Sequence, residues 1–270
     1  MIIDTEIIDV YLEEKSLNSI KDHWIFTSIV EGKYLMDDLE NTNIDKLRYV
    51  YDIVLEKIKN FKPLNHTLWK EFFQDACIPE YTYIYLIVGS PYPFDAMVRK
   101  SPLGSNAIIL DLNRISSYTD DINRLSEIVI SFLTHEISHI ITNEIYPLPC
   151  KDASTTDILK HIVFDEGIAH LLSFKEDVLT LNWYSADMIL HRKNSYDTLI
   201  SELNTNNNTY KESILERANS GAFWDKFGAI SGLFAIIDYY NDTNKDITSF
   251  RSLFQEGPDF LFDFIINKCI

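Results

Sequence analysis

The sequence predicts an α+β chain that is mostly helical, with a small mixed sheet ahead of one long helix and a helical lobe at the C-terminal end. Three observations point there. Apolar residues recur at helical spacing in the first ninety residues, around 125–141, around 159–173 and from 223 onward. Two short runs, Tyr81–Gly89 and Asn106–Leu112, are instead dense in aromatic and β-branched residues, as strands are. Hydrophobic residues make up 46% of the 270 positions and aromatics 13%, which supplies a sizeable core and argues against disorder.

Taken along the chain, Leu47, Val50, Tyr51, Val54, Leu55 and Ile58 form the first clear amphipathic stripe, and Leu68, Phe72 and Phe73 a shorter one. Both are expected in the lobe behind the sheet. His23 and His66 read there as surface or capping residues, and Trp24, Phe26, Trp69 and Phe72 as core. A helix then runs through Leu125, Ile128, Val129, Phe132, Ile140 and Ile141 and stops before Tyr146-Pro147-Leu148-Pro149. Ser154-Thr155-Thr156-Asp157 offers hydroxyl and carboxylate caps for the next helix, so the two form a helical hairpin. Asn204–Thr209 reads as an exposed polar loop. Phe223–Asn241 reads as an apolar helix, followed by Phe250–Phe254 and Asp259–Ile266. The spacing of Gly228 and Gly232 reads as tight helix packing, because the stretch is too short and too polar at its end to be a membrane span.

Within the long helix stands Thr134-His135-Glu136-Ile137-Ser138-His139. At 3.6 residues per turn, His135 and His139 share a face, and both rings can address one cation. Glu136 lies beside it. Zinc takes neutral imidazole nitrogen and carboxylate oxygen in a tetrahedral shell, and a catalytic site keeps one position for water whose proton a neighbouring carboxylate can accept. His-Glu-x-x-His arises by chance in on the order of one per cent of such chains. Here the three polar residues continue the apolar stripe, where ionisable groups are costly unless something pairs with them. A cation would satisfy all three together.

A third ligand is sought in Phe164-Asp165-Glu166-Gly167-Ile168-Ala169-His170. Leu159, Ile162, Val163, Ala169 and Ser173 trace a second amphipathic helix, and Glu166 lies on its apolar stripe. Glu166 is the preferred ligand. Asp165, His161 and His170 compete; the two histidines read as ordinary helix residues, with a supporting or substrate-facing place open to His170. Gly167 costs helix propensity and is tolerable if its bare backbone lets this helix approach the first one closely.

His135, Glu136, His139 and Glu166-Gly167 together resemble the gluzincin class of zinc metallopeptidases, whose thermolysin-like and aminopeptidase-like members carry His-Glu-x-x-His on one helix and a glutamate ligand on the next. The 26 residues from 140 to 165 are a longer interval than in the best-known members, so the likeness is to a divergent, bacterial-type branch. The resemblance implies a zincin-like fold, bound Zn2+, and hydrolysis of peptide bonds. In it, Glu136 takes a proton from metal-activated water and passes one to the leaving amine. It also places residues 106–112 as the edge strand that aligns an extended peptide, the other reading being a fully buried strand. It implies an oxyanion donor from the lobe after Glu166, for which Tyr184, His191, Tyr196 and Tyr210 are available. Related chains often carry a tyrosine ahead of a glycine in the terminal helix, where this one has Phe223, Trp224 and Phe227 before Gly228. That departure keeps a second reading in play, a catalytically inactive zincin-fold protein that binds a peptide or protein partner.

One domain over 1–270 is the economical count, since no Pro-, Gly- or Ser-rich linker divides it. Its two lobes would be 1–145, with the N-terminal helices, sheet and His-Glu-x-x-His helix, and 146–270, with the glutamate ligand. A net charge of −17 argues against nucleic acid or an anionic membrane as partner, because phosphate binding needs clustered Lys and Arg. A peptide or protein substrate remains. Cys77, Cys150 and Cys269 are odd in number and far apart, which fits no disulfide framework or cysteine metal site, and Met1–Glu6 lacks the pattern of an export signal. The expected compartment is the cytoplasm.

Overall fold

The computed structural model describes residues 1–150, 152–175, 177–204 and 211–269, Cys269 through its backbone. In chain order its elements are β1 (Ile2–Asp4), α1 (Glu6–Glu14), α2 (Ile25–Ser28), α3 (Ile44–Lys59), α4 (His66–Phe73), β2 (Tyr83–Ile87), β3 (Ala96–Lys100), β4 (Asn106–Asp111), α5 (Leu112–Ser116), α6 (Ile122–Ile145), α7 (Thr155–Ser173), α8 (Ala186–Leu203), α9 (Lys211–Asn219), α10 (Phe227–Asp242) and α11 (Ser249–Cys269). This is an α+β, mostly helical fold with one small mixed sheet ahead of α6. The chain divides into two compact units, one of Met1–Lys62 and Cys77–Ile140, the other of Pro63–Ala76 and Ile141–Ile270. Among the described residues no helix is long and apolar enough to cross a membrane.

In the first unit the sheet runs β1-β2-β4-β3, with β1, β2 and β4 parallel and β3 antiparallel to β4. Ile84, Leu86 and Ile87 on β2 and Ala107–Leu110 on β4 are buried at every position, as central strands covered on both faces are. The edge-strand expectation for residues 106–112 is therefore corrected: β4 is paired on both sides, Tyr83–Ile87 against Ala107–Asp111 and Ala96–Lys100 against Leu110–Asn106. The edge falls to β3. The turn at Ser101–Ser105, where Gly104 adopts φ 82° and Ser101 N–H donates to Ser105 O at 2.9 Å, folds β3 back along β4 and covers its free side. Ile7, Ile8, Tyr11 and Leu12 form the buried face of α1, and Leu47, Val50, Ile53, Val54 and Ile58 that of α3. Asn43 caps α3 by accepting the Lys46 N–H at 3.0 Å.

The second unit is helical. Its first segment is α4, which was expected behind the sheet but packs on α11 instead, Phe72 lying 5.1 Å from Phe250 and Phe73 5.4 Å from Phe254 between ring centroids. Aromatic complementarity, invisible in the short stripe, decides its partner. Ser154 caps α7 by accepting the Asp157 N–H at 3.1 Å. The helix expected over Phe223–Asn241 is broken at Lys226 (φ −76°, ψ 76°) into a 3-10 turn, Phe223–Asp225, and α10. The segments 250–254 and 259–266 both fall in α11, whose backbone breaks at Gly257 (φ 81°, ψ −169°) before Pro258. Of the expected loop Asn204–Thr209, residues 205–209 lie outside the described residues; Asn204 caps the end of α8.

Candidate metal centre

His135 and His139 occupy successive turns of α6, and their rings meet edge to face, 4.6 Å between centroids at 89°. Their Nε2 atoms are 3.0 Å apart. In a tetrahedral zinc shell with bonds near 2.0 Å, two imidazole nitrogens stand roughly 3.3 Å apart. At 3.0 Å the pair is within hydrogen-bond distance and a little closer than that spacing. Helix-internal bonds keep the flanking hydroxyls occupied: Thr134 donates to Ile130 O and Ser138 to His135 O, each at 2.7 Å.

Glu136 is buried, with 6% of its surface exposed. The charge that answers it comes from Arg99 on β3, whose own pKa is pushed down by burial and held up by the Glu136 carboxylate. Arg99 is fixed in place by backbone carbonyls, donating from Nε to Ser28 at 2.8 Å, from Nη2 to Ile29 at 2.7 Å and from Nη1 to Val98 at 2.8 Å. Nothing in the spacing of the sequence marks Arg99, because it reaches Glu136 through the sheet.

On α7, Glu166 is 17% exposed at its side chain and His170 only 3%. His170 Nδ1 lies 2.9 Å from the Glu166 backbone oxygen and 3.3 Å from Glu166 Oε2. A carbonyl oxygen can only accept, so Nδ1 carries a proton and donates it to Glu166. That anchoring of one ring nitrogen is how metal-bound histidines are oriented. The one-turn spacing that left a supporting place open to His170 thus sets its Nδ1 against the backbone and side chain of Glu166.

The other two competitors are engaged elsewhere. His161 Nε2 is 3.1 Å from Asn143 Oδ1, and Asn143 Nδ2 donates to Asp165 Oδ2 at 3.3 Å. This buried network joins the last turn of α6 to α7. Of the groups considered as oxyanion donors, Tyr184 and Tyr196 each donate to Asp238 at 3.3 Å, and Arg192 adds its charge at 3.2 Å. Burial pushes the Asp238 pKa up, and Arg192 opposes that. Tyr210 lies outside the described residues. His191 stacks on Trp224, 4.3 Å between centroids at 11°.

No family model, curated protein or solved structure matches this chain.

Proposed function

We propose that this chain is a gluzincin-like zinc peptidase in which His135, His139 and Glu166 hold Zn2+ and Glu136 is the general base. The observation that carries the reading is the histidine pair of α6, whose 3.0 Å Nε2 separation suits a shared cation. Helix geometry supports Glu166 as their companion. Asn143 follows His139 by four residues and His135 by eight, only about 40° and 80° around the helix. It is Asn143 that bonds to His161 and Asp165 on α7. Asn143 thus continues the side of α6 that bears both histidines.

Bound there, zinc would polarise a scissile carbonyl and acidify a water. Glu136 would accept the water's proton and return one to the leaving amine, with Arg99 supplying the balancing charge. Among the described residues His191 is the donor candidate left for the oxyanion, since Tyr184 and Tyr196 are committed to Asp238. An extended peptide would pair along β3. The bonds Ser101 N–H to Ser105 O and Asp111 N–H to Asp95 O set residues 95, 97, 99 and 101 toward β4, so Ala96, Val98 and Lys100 turn their backbone groups outward; the Val98 oxygen is taken by Arg99 Nη1, which leaves Ala96 and Lys100 for pairing. A cytoplasmic setting accords with the free thiol of Cys150.

The test is zinc content followed by a peptide-library screen. About one zinc per chain, weakened by Glu166→Ala, with turnover abolished by Glu136→Gln, is the expected result. Turnover that survives Glu136→Gln would sink the mechanism. The second reading, an inactive zincin-fold protein that binds a peptide or protein partner, draws on Phe223, Trp224 and Phe227 standing where related chains carry a tyrosine. Turnover lost to a chelator and restored by zinc excludes it.

A further inference from the structure

Between the end of α1 and the start of α3 lies a cleft of about 480 Å³, within the range of small-molecule sites and lined by residues 11–44 alone. Its walls follow from how that segment is tied down. α1 stops at Lys15, which adopts φ 54° and donates its N–H to Tyr11 O at 2.8 Å, so that the chain turns and buries Leu17. On the other wall the Asp37 N–H donates to Gly89 O at 2.7 Å, just past β2, and the Tyr11 hydroxyl donates to Leu39 O at 3.1 Å. Leu17 and Met36 both close over Gly89, where a Cβ would lie 3.2 Å from the first and 3.4 Å from the second. Tyr11, Leu17, Met36, Leu39 and Ile44 make up the apolar part of the lining.

The charged part of that lining is mostly of one sign. Asp37, Asp38 and Glu40 are exposed, and their carboxylates stand against the one ammonium of Lys15. Asp37 Oδ1 accepts the Asp38 N–H and Asp38 Oδ1 accepts the Glu40 N–H, each at 2.9 Å, which orients both carboxylates and leaves the second oxygen of each for a ligand. Among the described residues no ion pair engages any of the three. Charge complementarity then selects the occupant. An anion would meet three like charges, and a bare metal ion would leave Leu17, Met36 and Leu39 uncovered. A chain that alternates ammonium groups with short methylene runs answers both, its cations beside the carboxylates and its methylenes over the apolar side chains. We propose that this cleft binds a linear aliphatic polyamine. The site goes beyond the peptidase reading, shares no residue with it and needs neither zinc nor turnover.

The experiment is calorimetric titration of the full chain with spermidine, N-acetyllysinamide and calcium chloride in turn. Spermidine should fill one site per chain, weaken as salt is raised, and bind about fivefold tighter or more than N-acetyllysinamide, which brings a single ammonium. Asp38→Asn and Glu40→Gln keep the side-chain shape and should each weaken spermidine about two- to fivefold, the worth of one exposed ion pair. Met36→Ala should weaken it by about the same factor through lost cover over the methylenes. Glu212→Gln, which removes the same charge from an exposed position on α9, should leave the affinity unchanged. No saturable binding of spermidine, or an equal loss in Glu212→Gln and the cleft variants, overturns the proposal. N-acetyllysinamide as tight as spermidine overturns it in favour of a protein lysine, and calcium that displaces spermidine at equal concentration overturns it in favour of a metal ion.

Discussion

Gly167 and Gly232 face each other across the α7–α10 crossing so closely that a Cβ on Gly167 would lie 2.7 Å from the Cα of Gly232. A Cβ on Gly232 would stand 1.8 Å from the Val163 carbonyl oxygen. The two helices meet backbone to backbone at the residue after Glu166, so this crossing sets where that carboxylate stands. Gly167 does permit a close approach, as its cost in helix propensity implied, but the helix that approaches is α10 and not the helix bearing His135 and His139.

Gly232→Ala is expected to force α7 and α10 apart and to cost about 3 kcal/mol, the upper part of the range for overpacking. For a chain of this size that lowers the melting temperature by roughly 6 °C or more. Thermal unfolding measures it, and a variant that melts with the wild type would show that the crossing relaxes freely.

His170→Ala should weaken zinc binding roughly 10- to 100-fold, whether His170 ligates directly or orients Glu166. Competition against a chelator of known affinity reads the change. An unaltered zinc affinity would return His170 to the ordinary helix histidine of the sequence reading.

Asp111 is fully buried at the head of α5, accepting the Ser90 N–H at 2.6 Å and the Arg114 N–H at 2.9 Å. Burial pushes its pKa from 3.8 up to about 7, against those two bonds and the Arg114 charge. Because the folded value is the higher one, the folded chain keeps a proton that the unfolded chain releases as pH passes 3.8. The stability this contributes is complete below 3.8 and is lost as pH rises through about 7. Urea midpoints measured from pH 5 to 8 should fall across that window, and the fall should be shallower in Asp111→Asn.

Tyr146 bridges the break in α11. Its hydroxyl donates toward Gln255 O at 3.1 Å and toward Phe254 O at 2.5 Å, an acceptor that Pro258, having no N–H, cannot serve, and its ring is what a Cβ at Gly257 would strike at 2.8 Å. Tyr146→Phe should cost about 1–2 kcal/mol by orphaning those acceptors while keeping the ring contacts with Phe164 and Phe254. Chemical denaturation of the two proteins side by side gives the number, and equal midpoints would mean that water takes over the hydroxyl's place.

The elements that the sequence disclosed are those with a long or dense local signal. The stripe through Leu125, Val129 and Ile140 is α6, the aromatic run at 81–89 contains β2, and Ser154 caps α7 at the expected residue. The three-residue β1 and the strand β3 were not legible. Ala96–Lys100 ends in Arg99-Lys100, and its pairing comes from a turn that returns the chain to β4, not from its own alternation. The break at Lys226 was equally hidden, since no breaker residue stands there, whereas Gly257-Pro258 falls between the two segments read at 250–254 and 259–266.

At the candidate site the division has the same origin. The meeting of His135 with His139, and of Glu166 with His170, follows from four-residue spacing on a helix and is therefore written in the order of residues alone. Tertiary structure decided what no spacing contains: the Arg99 charge brought to Glu136, the Asn143 network that occupies His161 and Asp165, the carboxylate that claims Tyr184 and Tyr196, and the aromatic rings set beside His170. Helical periodicity is a local property of the backbone, whereas these contacts join residues tens of positions apart and exist only once packing has chosen which faces meet.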